Sequence, residues 1–474
     1  MDVWCQHLAL HSIVEPLVQV GPNGAAQPHL AASVEIKHGA RIYVFRLRPG
    51  VTFHDGRPLT SDDVKYTLDK LIGRNPPSDL LKTELSDIEE VRTPNAATVE
   101  LALRRSNQLL PAVLAEVGIL PAHIYGRYGL RNPKVNWTPI GTGPFKVASR
   151  ASKDTLVLER YDRYWGAPAR LSRVIVTAVD GPARALATLR NGELDVLSNL
   201  YPGYYPDQVS AQRLRERYRV LRLHPYRMRL IILNHRNRIL KDRRVRLAID
   251  RLADRDRMLR TVRRGLGQAL SAPLWPLGRW YDPTLHPHSY DRAGAGRLLD
   301  AAGWPVEPKS DGRRRRLGHP LRLRLLRARE STEMDQLAQM LKLDLRGAGI
   351  EVDIEGADFG FVKAQLRRGK FDMALLGLAP RPEADLSPLL HTKGELNYGG
   401  YSNSMVDGQL DAMRLTASLD ERQRIGQRLH RLMQEDPPYV VLYAPIELMV
   451  VSRRVKGLAN NGRWPRLSTL SLEP

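Results

Sequence analysis

Two histidine pairs are the first places in this 474-residue sequence where side-chain type and spacing could do chemistry. His54-Asp55 sets an imidazole beside a carboxylate, the makings of a proton relay. The pair stands between Phe53 and Gly56, among strand and turn residues, and a turn role is the stronger reading. His286-Pro287-His288 places two imidazoles two residues apart, a spacing that can line a metal site. The intervening proline and the want of adjacent cysteine or carboxylate partners favour a surface loop, so neither a metal nor a cofactor is expected. Tyr201, Tyr204 and Tyr205 lie in a Pro/Gly loop and are candidates for touching a small molecule. Arg327 and Arg329 follow an apolar run; a solvated position is the expectation for both. No nucleophile elbow, phosphate-binding loop, dinucleotide fingerprint or metalloprotease motif occurs, so the chemistry on offer is binding, not catalysis.

The elements that must position these residues can be read from periodicity. Tyr43, Phe45 and Leu47 alternate with Val44, Arg46 and Arg48, the pattern of a half-buried strand. Pro49-Gly50 and Asp55-Gly56 turn the chain. Thr60 with Asp63 three residues on makes a capping box, and Val64, Leu68 and Leu71 then share one helical face. A helix ending at Asn191-Gly192 is followed by a strand at 194–197. Further on, 321–326 reads as a strand, followed by a helix with Leu337, Met340, Leu341 and Leu345 inward. Ile350, Val352 and Ile354 alternate as a second strand, a helix runs over about 359–368, and 371–378 is a nearly continuous apolar run, a strand buried on both faces. Strands alternating with helices predict an α/β lobe with a largely parallel sheet, whose ligands would meet the loops beyond the carboxyl ends of its strands. The loop 379–387 is therefore a prime position for function.

Composition narrows the class further. Hydrophobic residues at 42% permit a sizeable core, and the single cysteine, Cys5, excludes an internal disulfide framework. No stretch reaches the roughly 18 apolar residues of a membrane span. Lysine and arginine exceed aspartate and glutamate by 73 to 51, giving +22, which suits an anionic partner. The arginines are spread along the whole chain, however, as base composition alone would spread them. Only Arg313 to Arg316 cluster, in what reads as a surface loop, so nucleic acid is not the expected partner.

Several segments resemble one family. Residues 45–64, FRLRPGVTFHDGRPLTSDDV, are similar to the signature of the extracellular solute-binding proteins of family 5, the dipeptide-, oligopeptide- and nickel-binding components of ABC importers. Ile140 to Phe145 and Tyr161 to Gly166 resemble the family's "GTGPF" and "YWG" blocks. Asn234 with 242–250 resembles its "N…DxRVRxAl" block, and 397–403, NYGGYSN, its "NYSGYSN" block. The resemblance implies an α/β, two-lobed periplasmic-binding-protein fold of type II, in the large peptide-binding cluster, with an inserted subdomain in lobe I. Lobe I would comprise 1–20, 138–230 and 440–474, the insert 21–137, and lobe II 231–439. Gly141, Gly143 and Pro144 would set backbone shape.

The same resemblance implies a non-catalytic protein of the periplasm or cell envelope that closes by hinge motion on a peptide or other small polar solute. It would act as a monomer and deliver that ligand to the permease subunits of an ABC importer. Glu15-Pro16-Leu17-Val18 resembles the "YEPLV" helix that follows the family's first strand, so a secretion signal and that strand are expected upstream of Met1. Ligand contacts are implied for Trp275, Asn234, Leu378, Asn397 and Tyr398, and for Arg381, Glu383 and Asp385 in the loop after the buried strand. Peptide-binding members carry a "GWxxD" block there, whose aspartate pairs with the peptide ammonium. Here Leu378 replaces the tryptophan and Arg381 the aspartate. A guanidinium repels an ammonium but pairs bidentately with a carboxylate or phosphate, so an anionic group on the ligand is expected, with Glu383 or Asp385 available for a cation. Two alternatives stand beside this: the ligand-sensing domain of a regulator, and a nucleic-acid or acidic-surface binder driven by the positive charge.

Overall fold

The computed structural model describes residues 11–21, 25–307, 312–329, 331–379, 385–458 and 464–473. The chain divides into two units, Met1–Leu223 with Glu447–Pro474, and His224–Ile446. Among the described residues no helix is long and apolar enough to cross a membrane.

Unit 1 contains a four-stranded antiparallel sheet in the order β1-β2-β4-β3, with β1 at Ala31–Lys37, β2 at Ile42–Leu47, β3 at Ile88–Asn95 and β4 at Thr98–Leu103. Tyr43, Phe45 and Leu47 of β2 are buried, and α1 (Ser61–Ile72) lays Val64, Leu68 and Leu71 into the same core. Its capping box is present. One oxygen of the Asp63 carboxylate accepts from the Thr60 N–H at 2.9 Å and the Thr60 hydroxyl at 3.2 Å, and the other accepts from the Ala122 N–H at 2.8 Å. The cap thus pins the helix start to a segment far along the chain. A three-stranded meander follows, β5 (Phe145–Ser152), β6 (Thr155–Arg160) and β7 (Arg173–Thr177). The unit continues through α2 (Pro182–Asn191), β8 (Val196–Leu200), α3 (Gln212–Arg217) and β9 (Tyr218–Leu223).

The signature blocks of unit 1 converge on one side chain. Glu15, 1% exposed, accepts from the Tyr164 hydroxyl at 2.7 Å and from the Thr142 hydroxyl, Trp165 Nε1 and His29 Nε2, each at 2.9 Å. His54 belongs to the same scaffold. Its Nε2 meets the Gly143 carbonyl at 3.0 Å and its Nδ1 accepts from the Gly141 N–H at 3.3 Å, while burial lowers its pKa. This is the turn role expected of it. A Cβ on Gly141 would lie 1.9 Å from the Ile13 carbonyl oxygen, and one on Gly143 2.5 Å from that of Ser12. Gly141→Ala is therefore expected to destabilise unit 1 by about 3 kcal/mol or more, read as an early thermal transition beside wild type.

Unit 2 is built on a six-stranded sheet in the order β11-β15-β10-β14-β12-β13, made of β10 (Met228–Leu233), β11 (Gly267–Ala269), β12 (Arg322–Ala328), β13 (Glu351–Ala357), β14 (Met373–Leu378) and β15 (Tyr439–Pro445). The predicted strand–helix alternation holds, with α6 (Thr332–Gly347) between β12 and β13 and α7 (Phe359–Arg367) between β13 and β14; earlier in the unit stand α4 (Arg243–Leu252) and α5 (Arg255–Arg263). Leu337, Leu341 and Leu345 of α6 are buried and Met340 half-buried. The sheet is mixed, not largely parallel: β12 runs parallel to β13 and β14, but β10 with β14, β10 with β15 and β11 with β15 are antiparallel. Helical crossovers dictate direction only across 322–378. The strands from 228–233 and 439–445 enter from distant sequence, where local periodicity carries no directional information.

Two further expectations are corrected. The 371–378 run is buried on both faces only in its first half, since Gly377 is exposed and Leu376 and Leu378 half-exposed. The arginine run is not simply a surface loop. Arg314 is 5% exposed, donating to the Ala348 carbonyl at 2.8 Å and the Trp304 carbonyl at 2.6 Å and pairing with Asp300 at 2.5 Å. The chain returns to unit 1 as β16 (Glu447–Ser452), which lies between β8 and β9. The lobe edges expected at 230/231 and 439/440 fall within β10 and at the start of β15, two strands of the unit 2 sheet.

Candidate functional site

From β12 the chain passes through α6 to β13 on one side, then through α7 to β14 on the other. The carboxyl end of β12 is thus the point where strand order reverses, and the crevice beyond it is where open α/β sheets take ligands. Because β10 is antiparallel to β14, its first residues lie at this end. Met228 stands opposite Leu378, Arg229 opposite Gly377, and on the other flank Tyr443 opposite Arg229.

Arg229 is the organising cation. Its guanidinium lies across Gly377, where a Cβ would meet Nη1 at 3.1 Å, so the glycine leaves the room the side chain occupies. It grips Glu333, in the first turn of α6, bidentately at 3.1 and 2.9 Å, and the Tyr443 hydroxyl donates to the same carboxylate at 2.8 Å. Burial pushes the Glu333 carboxyl up. The Arg229 guanidinium and the Tyr443 hydroxyl outweigh it, and the carboxyl ends below its ordinary range. Arg229 and Glu333 keep 15% and 19% of their side-chain surface, enough to be met from outside. Arg327, at the end of β12, is also only 15% exposed and pairs with Asp335, contrary to the solvated position expected; Arg329 is exposed, with its Nε donating to the Gly356 carbonyl at 2.6 Å. Trp275 is buried and meets Tyr226, two residues before β10, edge to face with ring centres 4.8 Å apart.

The residues expected to contact ligand do not all gather here. Leu378 lies at this end of the sheet. Arg381 and Glu383 lie outside the described residues. Asp385 is 4% exposed, pairs with Arg414 and accepts from the Ser387 N–H at 2.8 Å. Asn234 follows the last residue of β10 and so lies at the opposite end, roughly 17 Å away along the strand. Its amide donates to the Phe371 carbonyl at 2.7 Å and the Gly369 carbonyl at 3.1 Å. Asn397 and Tyr398 sit at that same far end: the His235 N–H reaches the Gly399 carbonyl at 2.8 Å and Arg236 the Tyr398 carbonyl at 2.9 Å. The Asn397 amide ties the loop closed through the Tyr401 carbonyl at 2.8 Å. His288 meets Asp250 at 2.7 Å, and among the described residues no group of three or more His, Cys, Asp or Glu is placed to hold a metal ion. Sequence reasoning missed Arg229, Glu333 and Tyr443. The one available signal was a lone charge inside the otherwise apolar strand Met228–Leu233.

A strand-order switch point with a braced arginine beside it, in a chain of two α/β units, is in keeping with a ligand-binding protein of the two-lobed periplasmic type. The chain belongs to the bacterial extracellular solute-binding proteins, family 5, which it matches over residues 25–397. It is similar to Protein XP55 of Streptomyces lividans, 29% identical over 91% of this chain and 78% of that one. It is also similar to the oligopeptide-binding protein AppA of Bacillus subtilis, 26% identical over 90% of this chain and 80% of that one. The structure of NikA from Brucella suis in complex with Fe(III)-EDTA superposes with a TM-score of 0.81, at 23% identity, over the whole of this chain and 95% of that one. The expected family and fold class are thus established, and the family consists of binding proteins that serve ABC importers outside the cytoplasm.

Proposed function

We propose that this chain captures a peptide or related polar solute that carries an anionic group, and delivers it as a monomer to the permease of an ABC importer, without catalysing a reaction. The observation that carries the reading is Arg381, three residues in sequence beyond β14, the strand whose carboxyl end lies beside Arg229, a guanidinium already neutralised by Glu333. By resemblance, Arg381 occupies the sequence position where peptide-binding members carry an aspartate, and it is the residue proposed to read the anion. Leu378 and Trp275 would supply apolar contact at the same end. Asn234, Asn397, Tyr398 and Asp385 would act by holding the loops around the sheet, and Glu383 by meeting a ligand cation. The solute classes are those named for relatives, oligopeptides for AppA and a metal chelate for NikA.

The test is a charge swap. Wild-type protein is expected to bind an N-acetylated peptide with a free carboxylate at least tenfold more tightly than the C-amidated peptide with a free ammonium. Arg381→Asp is expected to reverse that order in calorimetry. An unchanged preference in the variant removes Arg381 from the site.

A further inference from the structure

Unit 1 contains a cavity of about 320 Å³ that the solute site of unit 2 does not use. Its lining includes the apolar Leu189 of α2, Val209 and Val450 of β16, together with Arg215, Arg219 and Arg453. Among the described residues none of these three guanidiniums faces an acidic partner. Arg219 donates to the Val455 carbonyl at 2.8 Å but leaves its buried Nε without a hydrogen bond. Arg453 donates to the Arg215 carbonyl at 2.9 Å, while the Arg215 side chain is exposed. Elsewhere in the chain arginines are commonly paired with carboxylates, as at Arg229, Arg246, Arg255 and Arg327. An apolar hollow under three uncompensated cations fits a molecule that is apolar at one end and anionic at the other.

We propose that this cavity is a second ligand site, taking a small amphipathic carboxylate. At about 320 Å³ the cavity has room for a carboxylate with a medium-length hydrocarbon chain, for which octanoate is the probe. The chain would lie against Leu189, Val209 and Val450, and the carboxylate would accept from the lining guanidiniums in charge-assisted hydrogen bonds.

Calorimetric titration of the whole protein with octanoate, and separately with 1-octanol, tests this. Octanoate is expected to bind with one-to-one stoichiometry, at least tenfold more tightly than the alcohol, and more weakly as salt rises. Two variants at exposed positions separate the parts of the site. Ser210→Trp, on the lining, should abolish binding by filling the cavity, and Arg215→Glu should weaken it at least tenfold. Both should keep the wild-type melting temperature and the wild-type affinity for the peptide ligand. Absence of saturable octanoate binding overturns the proposal. So does equal binding of the alcohol, or binding that survives both substitutions. Because peptide affinity is read in the same samples, loss of the solute reading and loss of this one are distinguished.

Discussion

Replacing Glu15 by glutamine is expected to lower the melting temperature of unit 1 by about 10 °C. The carboxylate is buried and takes four hydrogen bonds, two on each oxygen, from residues of three distant segments: His29, Thr142, and Tyr164 with Trp165. A glutamine keeps the shape but offers only one accepting oxygen. Its NH2 must face either the Thr142 and Trp165 pair or the His29 and Tyr164 pair, and the Trp165 N–H cannot reverse its role. Burial, then the Glu15 charge, push the Tyr164 hydroxyl pKa up, so that group keeps its proton and, like His29, would have to turn it away to accept from the amide. Breaking one member of a buried charged network costs on the order of 3–5 kcal/mol. A unit of this size loses roughly 2–4 °C for each kcal/mol, which gives the expected shift. Calorimetric scans of wild type and Glu15→Gln decide it; a shift of less than about 2 °C would mean that the four contacts contribute little beyond solvation.

Acid should unfold the protein from an unusually high pH. Burial lowers the pKa of His430 to about 4 and that of His235 to about 4, against an ordinary value of 6.5, and it lowers His54 as well. His430 is locked neutral: its Nδ1 accepts from the Asp282 N–H at 3.0 Å and its Nε2 meets the Ser271 hydroxyl at 2.7 Å. Asp282 pulls the His430 pKa upward, while at His235 Arg246 and Arg236 push down and Asp436 pushes up; burial prevails at both. Between pH 6.5 and 4 the unfolded chain takes up protons that the folded chain refuses. Stability is therefore fully present above the unfolded value and is lost as pH falls toward the folded one. Each of the two contributes a loss of up to about 3 kcal/mol by pH 4. Denaturant midpoints at pH 7.5, 6, 5 and 4.5 should fall progressively, and His430→Asn should flatten the slope while costing stability at neutral pH. A midpoint that does not move between pH 7.5 and 4.5 would contradict neutral burial of these imidazoles.

What was legible in the sequence were the local devices. Alternation across Tyr43 to Leu47, the Thr60–Asp63 box and the helix face of Val64, Leu68 and Leu71 each depend on neighbours within a few residues, and each appears as expected. The β12–α6–β13–α7–β14 run was legible for the same reason. Family motifs located Gly141 and Gly143, and the Cβ clashes with residues 12–14 show why glycine is needed there. Sheet direction was not legible, because β10 and β15 join the sheet from far along the chain. The site was legible only in outline. Asp385 looked available in a polar loop, yet Arg414, far along the chain, claims it. Asn234 and Asn397 looked like polar ligand contacts but spend their amides on backbone carbonyls at the far end of the sheet. Conversely, the bracing of Arg229 needs Glu333 and Tyr443, more than a hundred residues away, and no local pattern announces such a meeting.

The central claim is capture of a solute through its anionic group, and thermal denaturation of the purified protein against matched solutes tests it most directly. The series comprises free, N-acetylated and C-amidated peptides, anionic metabolites and metal chelates. An anion-bearing solute at about one hundred times its dissociation constant is expected to add roughly 2.7 kcal/mol, a clear rise in melting temperature, and masking its carboxylate should remove that rise. No rise with any anionic solute, or an equal rise with the masked compound, would contradict the claim.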